Sequence, residues 1–290
     1  KALPQQRGTL ASTKTNALTE TKIEEVAVAV IGRPNVGKSS LVNRLLHEPR
    51  VMVNAQPGTT RDAIDEVLQW HGKSFRLVDT AGIRRAGRVA NAEQVEAVSV
   101  LVAKRAIKRS AVALVMLDAS EEVADQDATI AGEAARSGCG IVIVANKWDL
   151  RKSTDPLTAK TFDESVRRKL RFLDFAPILH ISALTGERLS KVLETVDRIA
   201  SARSQRVPTA AVNHFVEKVT RAHSPPSSGR KVVRILYASQ VGIEPPSFVF
   251  FTNVATKFHF SYERFLINQL RETFGFEGSP IKIHVRRRQK

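Results

Sequence analysis

The stretch Gly32-Arg33-Pro34-Asn35-Val36-Gly37-Lys38-Ser39 constrains the fold of this chain more than any other. It fits G-x-x-x-x-G-K-S, with the apolar run Val26 to Ile31 before it and the helical pattern SLVNRLL after it. A strand that feeds such a loop, followed by a helix, makes a phosphate cradle. The glycines let backbone N–H groups turn inward, and a helix starting near Gly37 adds the positive end of its dipole. Lys38 is expected to reach the β- and γ-phosphates and the Ser39 hydroxyl to ligate magnesium. Asn35, Val36, Gly37 and Ser40 complete the expected phosphate-binding set.

Three later stretches narrow the nucleotide. Asp79-Thr80-Ala81-Gly82 closes a strand-like run. Its aspartate is placed to hold magnesium through water and its Gly82 N–H to sense a γ-phosphate. Asn146-Lys147-Trp148-Asp149 follows the run IVIVA. The Asp149 carboxylate is an acceptor-only fork that matches the N1–H and 2-amino group of guanine; adenine would leave it unpaired. Ser182-Ala183-Leu184, after PILHI, is expected to offer backbone N–H to the guanine 6-oxo group. Four such motifs in this order, each at a strand end, point to a GTPase.

Together with PGTTRDAID (57–65), DTAGIRR (79–85) and FGFEGSPIKI (274–283), these motifs resemble the Der (EngA) family of ribosome-assembly GTPases, from about Ile23 to Arg288. The matching part is the family's second GTPase domain with its C-terminal KH-like domain. The resemblance implies GTP/GDP and Mg2+ as cofactors, and ribosomal RNA and the assembling large ribosomal subunit as partners. It also implies a preceding GTPase domain in a longer chain, and residence in the bacterial cytoplasm or an organelle matrix. The family pattern makes Thr60, beside Thr59, the second hydroxyl on magnesium, so Lys38, Thr60 and Gly82 form the expected catalytic set. An asparagine at position 35 resembles that of potassium-activated GTPases, in which K+ neutralises developing charge. Ile83 stands where Ras-like enzymes carry a water-orienting glutamine, so intrinsic turnover is expected to be slow. Two other readings stand beside a slow GTPase: an RNA-binding module merely ordered by GTP, and a tRNA-modification GTPase. The chain's ending in HVRRRQK, with no cysteine there, speaks against the second.

At 290 residues the chain is long for one compact α/β domain. Residues 1–22 are polar and are expected to be a linker or tail. From 23 to 206 strands alternate with helical patterns, which predicts an α/β P-loop domain with a mostly parallel sheet. From 207 to 290 the order becomes helix, two strands, helix, strand: a smaller α+β, KH-like domain. The G-x-x-G of this part, Gly275 to Gly278, follows a helix instead of joining two and contains Glu277, so it is expected to be a turn and not an RNA clamp.

The formal net charge is +16, from 45 basic and 29 acidic residues. Residues 204–290 hold 14 basic and 5 acidic side chains, more than half of the excess. Regularly spaced negative charge, as in RNA, is the partner this implies. One cysteine, Cys139, excludes a disulfide framework and is expected to pack in the core. The seven histidines have no metal-ligand spacing, and neither a membrane span nor a secretory leader is expected.

Overall fold

The computed structural model describes residues 25–48, 51–53, 65–80, 92–151, 156–227 and 232–288. The strands β1 (Glu25–Gly32), β5 (Val112–Asp118) and β6 (Gly140–Asn146) are almost continuous apolar runs, which is the pattern of strands covered on both faces. Between and after them come α1 (Lys38–Leu46), β2 (Met52–Val53), β3 (Glu66–Trp70), β4 (Lys73–Val78), α2 (Ala92–Lys108) and α3 (Asp125–Ser137). Next are α4 (Pro156–Lys169), β7 (Ile178–His180) and α5 (Ser190–Ser204). The sheet order is β2-β3-β4-β1-β5-β6-β7. The five strands from β4 to β7 run parallel, while β3 and β2 turn back at one edge.

Strand alternation divides the core in two. Ala29, Ile31, Val115 and Ile143 meet α2, α3 and α4 through Ala103, Ile107, Ile130, Ala134, Phe162 and Val166. Val28, Val30, Leu114 and Val144 point the other way and meet α1 and α5 through Leu41, Leu45, Val192 and Val196. Cys139 belongs to the first cluster and is 3% exposed, and burial pushes its thiol up. Among the described residues no helix is long and apolar enough to cross a membrane.

A third cluster begins at Val207 and belongs to α6 (Thr209–Ala222), β8 (Ile235–Gly242), β9 (Ser247–Thr252), α7 (Phe260–Phe274) and β10 (Lys282–Arg287). Its sheet has β9 in the middle, antiparallel to β8 and parallel to β10. The turn Gly275 to Gly278 joins this part to the larger sheet. Gly278, at φ +64°, accepts from the Ile141 N–H at 2.7 Å and donates to the Phe175 carbonyl at 3.1 Å. A Cβ here would collide with Ile199. Glu277 pairs with Arg198 at 3.0 Å. The G-x-x-G is thus a junction between the two parts.

Three boundaries differ from the periodicity. The polar stretch Arg151 to Thr158 reads as a loop, yet α4 starts at Pro156, because proline suits the first helical position. The pattern Ala159 to Leu173 reads as one helix, yet α4 stops at Lys169, and Arg167 donates to the Leu173 and Ala176 carbonyls at 2.6 Å each. The run Lys231 to Val241 reads as one strand, whereas β8 spans Ile235–Gly242. Just before it the Asn253 side chain, accepting from Arg234 N–H and donating to the Val232 carbonyl, takes the place of ladder bonds.

Candidate nucleotide-binding site

The nucleotide motifs within the described residues all lie at the carboxyl edge of the parallel strands. Across the sheet the order is Asp79 after β4, the cradle after β1, Asp118 ending β5, Asn146 ending β6 and Ser182 after β7. Open α/β sheets bind their ligands outside this edge.

Asn146 ties three of the motifs together. Its Nδ2 donates to the Val36 carbonyl at 2.8 Å, and its Oδ1 accepts from the Ala183 N–H at 2.9 Å. Both bonds are buried. Gly37, at φ +95°, lies so close to this amide that a Cβ would strike Nδ2, so the glycine is needed for both backbone angle and space. Asn35 also holds a left-handed backbone, φ +63°, and is exposed. Val36 is buried, Ser39 half-buried and Ser40 exposed. Lys38 donates to the Gly32 carbonyl at 2.8 Å and to the Arg33 carbonyl, curling along the inside of the loop. Burial pulls its ammonium down to about 8, against the opposing pull of Asp127.

Arg33, within the cradle, escaped the sequence reading. Its Nε meets Asp127 at 2.9 Å and its Nη2 meets Glu121 at 3.1 Å. Asp127 is 1% exposed and its other oxygen accepts the Ala124 N–H at the start of α3. Burial holds this carboxyl above its usual range despite the guanidinium. The loop is thereby fastened to the helix behind it. Only the acidic first turn of α3, EEVADQD, hinted at such a partner.

The Asn146–Asp149 side is equally ordered. Lys147, with φ +63°, bonds through its ammonium to Asp118 at 2.5 Å. Asp118 also accepts from Ser120 N–H and Oγ. Burial would raise the Asp118 carboxyl, but these hydrogen bonds outweigh it and hold it below the usual range. Asp118 was likewise missed, although it stands opposite Asn146 in the register of β5 and β6. Trp148, Asp149 and Leu150 form a short 3-10 turn, and the Trp148 ring lies 4.0 Å from that of His180. The Asp149 Oδ1 is buried with no hydrogen-bond partner among the described residues. Of the three N–H groups expected for the 6-oxo group, that of Ser182 donates to Glu187 and that of Ala183 to Asn146. Leu184 is 78% exposed.

On the other side of the cradle, the Asp79 N–H donates to Asp65 at 3.0 Å, and Asp65 in turn accepts from Arg76 and Arg109. Asp79 sits at φ +59° and Thr80 is buried. Thr60 and Gly82, with Thr59 and Ile83, lie outside the described residues.

Known proteins share both parts of this arrangement. A family model described as "50S ribosome-binding GTPase" matches residues 27–147, and one described as "KH-domain-like of EngA bacterial GTPase enzymes, C-terminal" matches residues 206–286. GTPase Der of Desulfitobacterium hafniense is 49% identical over 267 residues, covering 92% of this chain and 60% of its own length. GTPase Der of Caldanaerobacter subterraneus is 50% identical over 265 residues, covering 91% of this chain and 60% of its own length. That of Syntrophotalea carbinolica is 47% identical with the same coverage. The chain thus spans about three-fifths of the length of these relatives. With both modules matched in order and about half of the aligned positions identical, the chain belongs to the Der (EngA) family of GTPases.

Proposed function

We propose that this chain binds GTP, hydrolyses it slowly to GDP and phosphate, and docks on ribosomal RNA during assembly of the large ribosomal subunit. The observation that carries the nucleotide part is the buried, unpartnered Asp149 Oδ1 at the carboxyl edge of the sheet. A buried carboxylate oxygen without a donor is costly, and the paired N–H groups of guanine supply the missing donors. Leu184 N–H, beside Ala183, is the donor nearest to hand for the 6-oxo group.

The residues present also fit a magnesium ion held jointly with phosphates. Among the described residues no three His, Cys, Asp or Glu side chains cluster as a metal cage. Ser39, in the first turn of α1 after β1, and Asp79, just past the end of the adjacent parallel strand β4, are instead the sparse oxygen set that magnesium uses beside a nucleotide. Magnesium when bound would neutralise charge on the transferred phosphoryl group. Thr60 is proposed as a further ligand, Gly82 as the γ-phosphate sensor, and Asn35 as a potassium ligand. The Arg33 clamp keeps the cradle from widening, and Lys38 supplies the positive charge within it.

In this reading residues 23–206 are the nucleotide-binding unit and 207–290 the RNA-docking unit. Residues 1–22 are a linker or tail. The protein acts where ribosomes are built, in the bacterial cytoplasm or an organelle matrix. The relatives' family description, a 50S ribosome-binding GTPase, and the basic excess of residues 204–290 support the docking part. Two measurements test it. Guanine nucleotides should bind far more tightly than ATP in a titration, and the chain should co-sediment with large-subunit particles when GTP is present. Equal affinity for ATP, or no sedimentation with particles at low salt, rejects the corresponding half.

A further inference from the structure

The sheet of the C-terminal part has one covered face and one open face. α6 and α7 pack on the side that carries Ala238, Phe248 and Phe250. Alternation along the strands turns Tyr237, Ser239, Val249 and Phe251 to the other side, with Lys282, His284 and Arg286 beside them. The register sets Tyr237, Phe251 and Arg286 in one row across the three strands, and Ser239, Val249 and His284 in the next. In the first row the Tyr237 and Phe251 rings stack at 4.4 Å with 16° between their planes. Tyr237 is 36% exposed, and Lys282, His284 and Arg286 are all exposed. No carboxylate stands in either row.

Val249, in the middle of the second row, is 3% exposed, so the open part of the face is the rim formed by Tyr237, Lys282, His284 and Arg286. Among the described residues, contacts with the larger sheet include the junction at Gly278, the Arg198–Glu277 and Asp174–Arg264 pairs, the Ser204–Glu244 hydrogen bond, Arg271 over the Phe175 ring and the approach of Pro245 to Gly138. A partner for the face must offer flat π surfaces and negative charge together. Unpaired RNA offers both, whereas a duplex hides its base faces inside the stack.

We propose that this open face is a platform for single-stranded RNA, with bases stacking on the Tyr237–Phe251 pair and the backbone running along Lys282 and Arg286. The proposal rests on the RNA-docking part of the proposed function and narrows it to one surface and to unpaired strands. The ring pair is held in place by its strands before any RNA arrives, so little ordering is lost on binding.

The test is fluorescence anisotropy of the whole chain with a labelled single-stranded RNA and a duplex of the same sequence, over a range of salt. Tyr237→Ala should weaken single-strand binding about tenfold while leaving the salt slope unchanged, and Tyr237→Phe should retain native affinity. Arg286→Ala should lower the log–log salt slope by about 0.7. The duplex should bind more weakly than the single strand and should not respond to Tyr237→Ala. Unchanged guanine-nucleotide affinity and thermal midpoint in each variant establish that the fold is intact. Native RNA affinity in Tyr237→Ala, or a preference for the duplex, overturns the platform and leaves RNA docking standing. No RNA binding by the unaltered chain at any salt overturns both. Loss of self-association in Tyr237→Ala with RNA affinity intact also overturns it, and makes the face a protein interface.

Discussion

The side-chain amide of Asn146 donates to the Val36 carbonyl at 2.8 Å, across 110 residues of chain, while its oxygen accepts the Ala183 N–H. One side chain thus holds the phosphate cradle, the base-recognition turn and the loop after β7 at fixed spacing. Asn146→Ala leaves two buried backbone groups unpaired, each worth about 1–3 kcal/mol. A loss of roughly 2–5 kcal/mol in urea unfolding, with weakened GTP binding, is expected. Native stability in this variant would mean that the bridge is dispensable.

In the proposed function Asp149 reads the base. Asp149→Asn replaces an acceptor by an amide, so GTP affinity should fall and xanthosine triphosphate affinity should rise. Their ratio should move by roughly 10⁴-fold, the scale seen when a built hydrogen-bond site meets the wrong partner. Competition titration of the two nucleotides reads the ratio directly.

With Lys38 on the phosphates, as proposed, nucleotide binding should be sensitive to pH. Burial brings its ammonium to about 8, and a polyphosphate requires the charged form. Below pH 8 the lysine is already protonated and affinity should be level. Above pH 8 binding must take up a proton, so affinity should fall by up to about tenfold per pH unit. Calorimetry between pH 7 and 9 in buffers of different ionisation heat measures the proton uptake. A flat profile with no uptake contradicts the assignment.

Asn35 occupies a left-handed backbone position that asparagine tolerates well, so its residue type alone does not report an ion. Asn35→Gly keeps the backbone and removes the amide oxygen. If potassium is held there, GTP hydrolysis by the native chain should be several-fold faster in potassium than in sodium at matched ionic strength. That difference should vanish in Asn35→Gly.

Gly278→Ala should loosen the junction between the two parts. It combines a positive φ with a Cβ directed at Ile199, for a destabilisation of about 1–3 kcal/mol. Combined with Ile199→Ala the cost should be less than additive, because the same collision is relieved once. Denaturation of both single variants and the double variant measures the coupling.

Much of this was legible from residue order alone. G-x-x-x-x-G-K-S between an apolar run and a helical pattern specified the cradle, because only strand, loop and helix in that order point so many N–H groups inward. The alternation of apolar runs with helical patterns specified the mostly parallel sheet. Local chemistry carried those decisions. What tertiary structure decided were relations between distant segments. Nothing in the sequence around Arg33 shows that Asp127, 94 residues away, would hold it, or that Asp118 would neutralise Lys147. The sequence marks G-x-x-G at 275–278 as a turn, but not that this turn fastens one sheet to another. Such pairings depend on which strand ends lie side by side and on how α3 and α7 fall against them. A charged or glycine residue reveals its role only when packing has fixed what stands within about 3 Å of it.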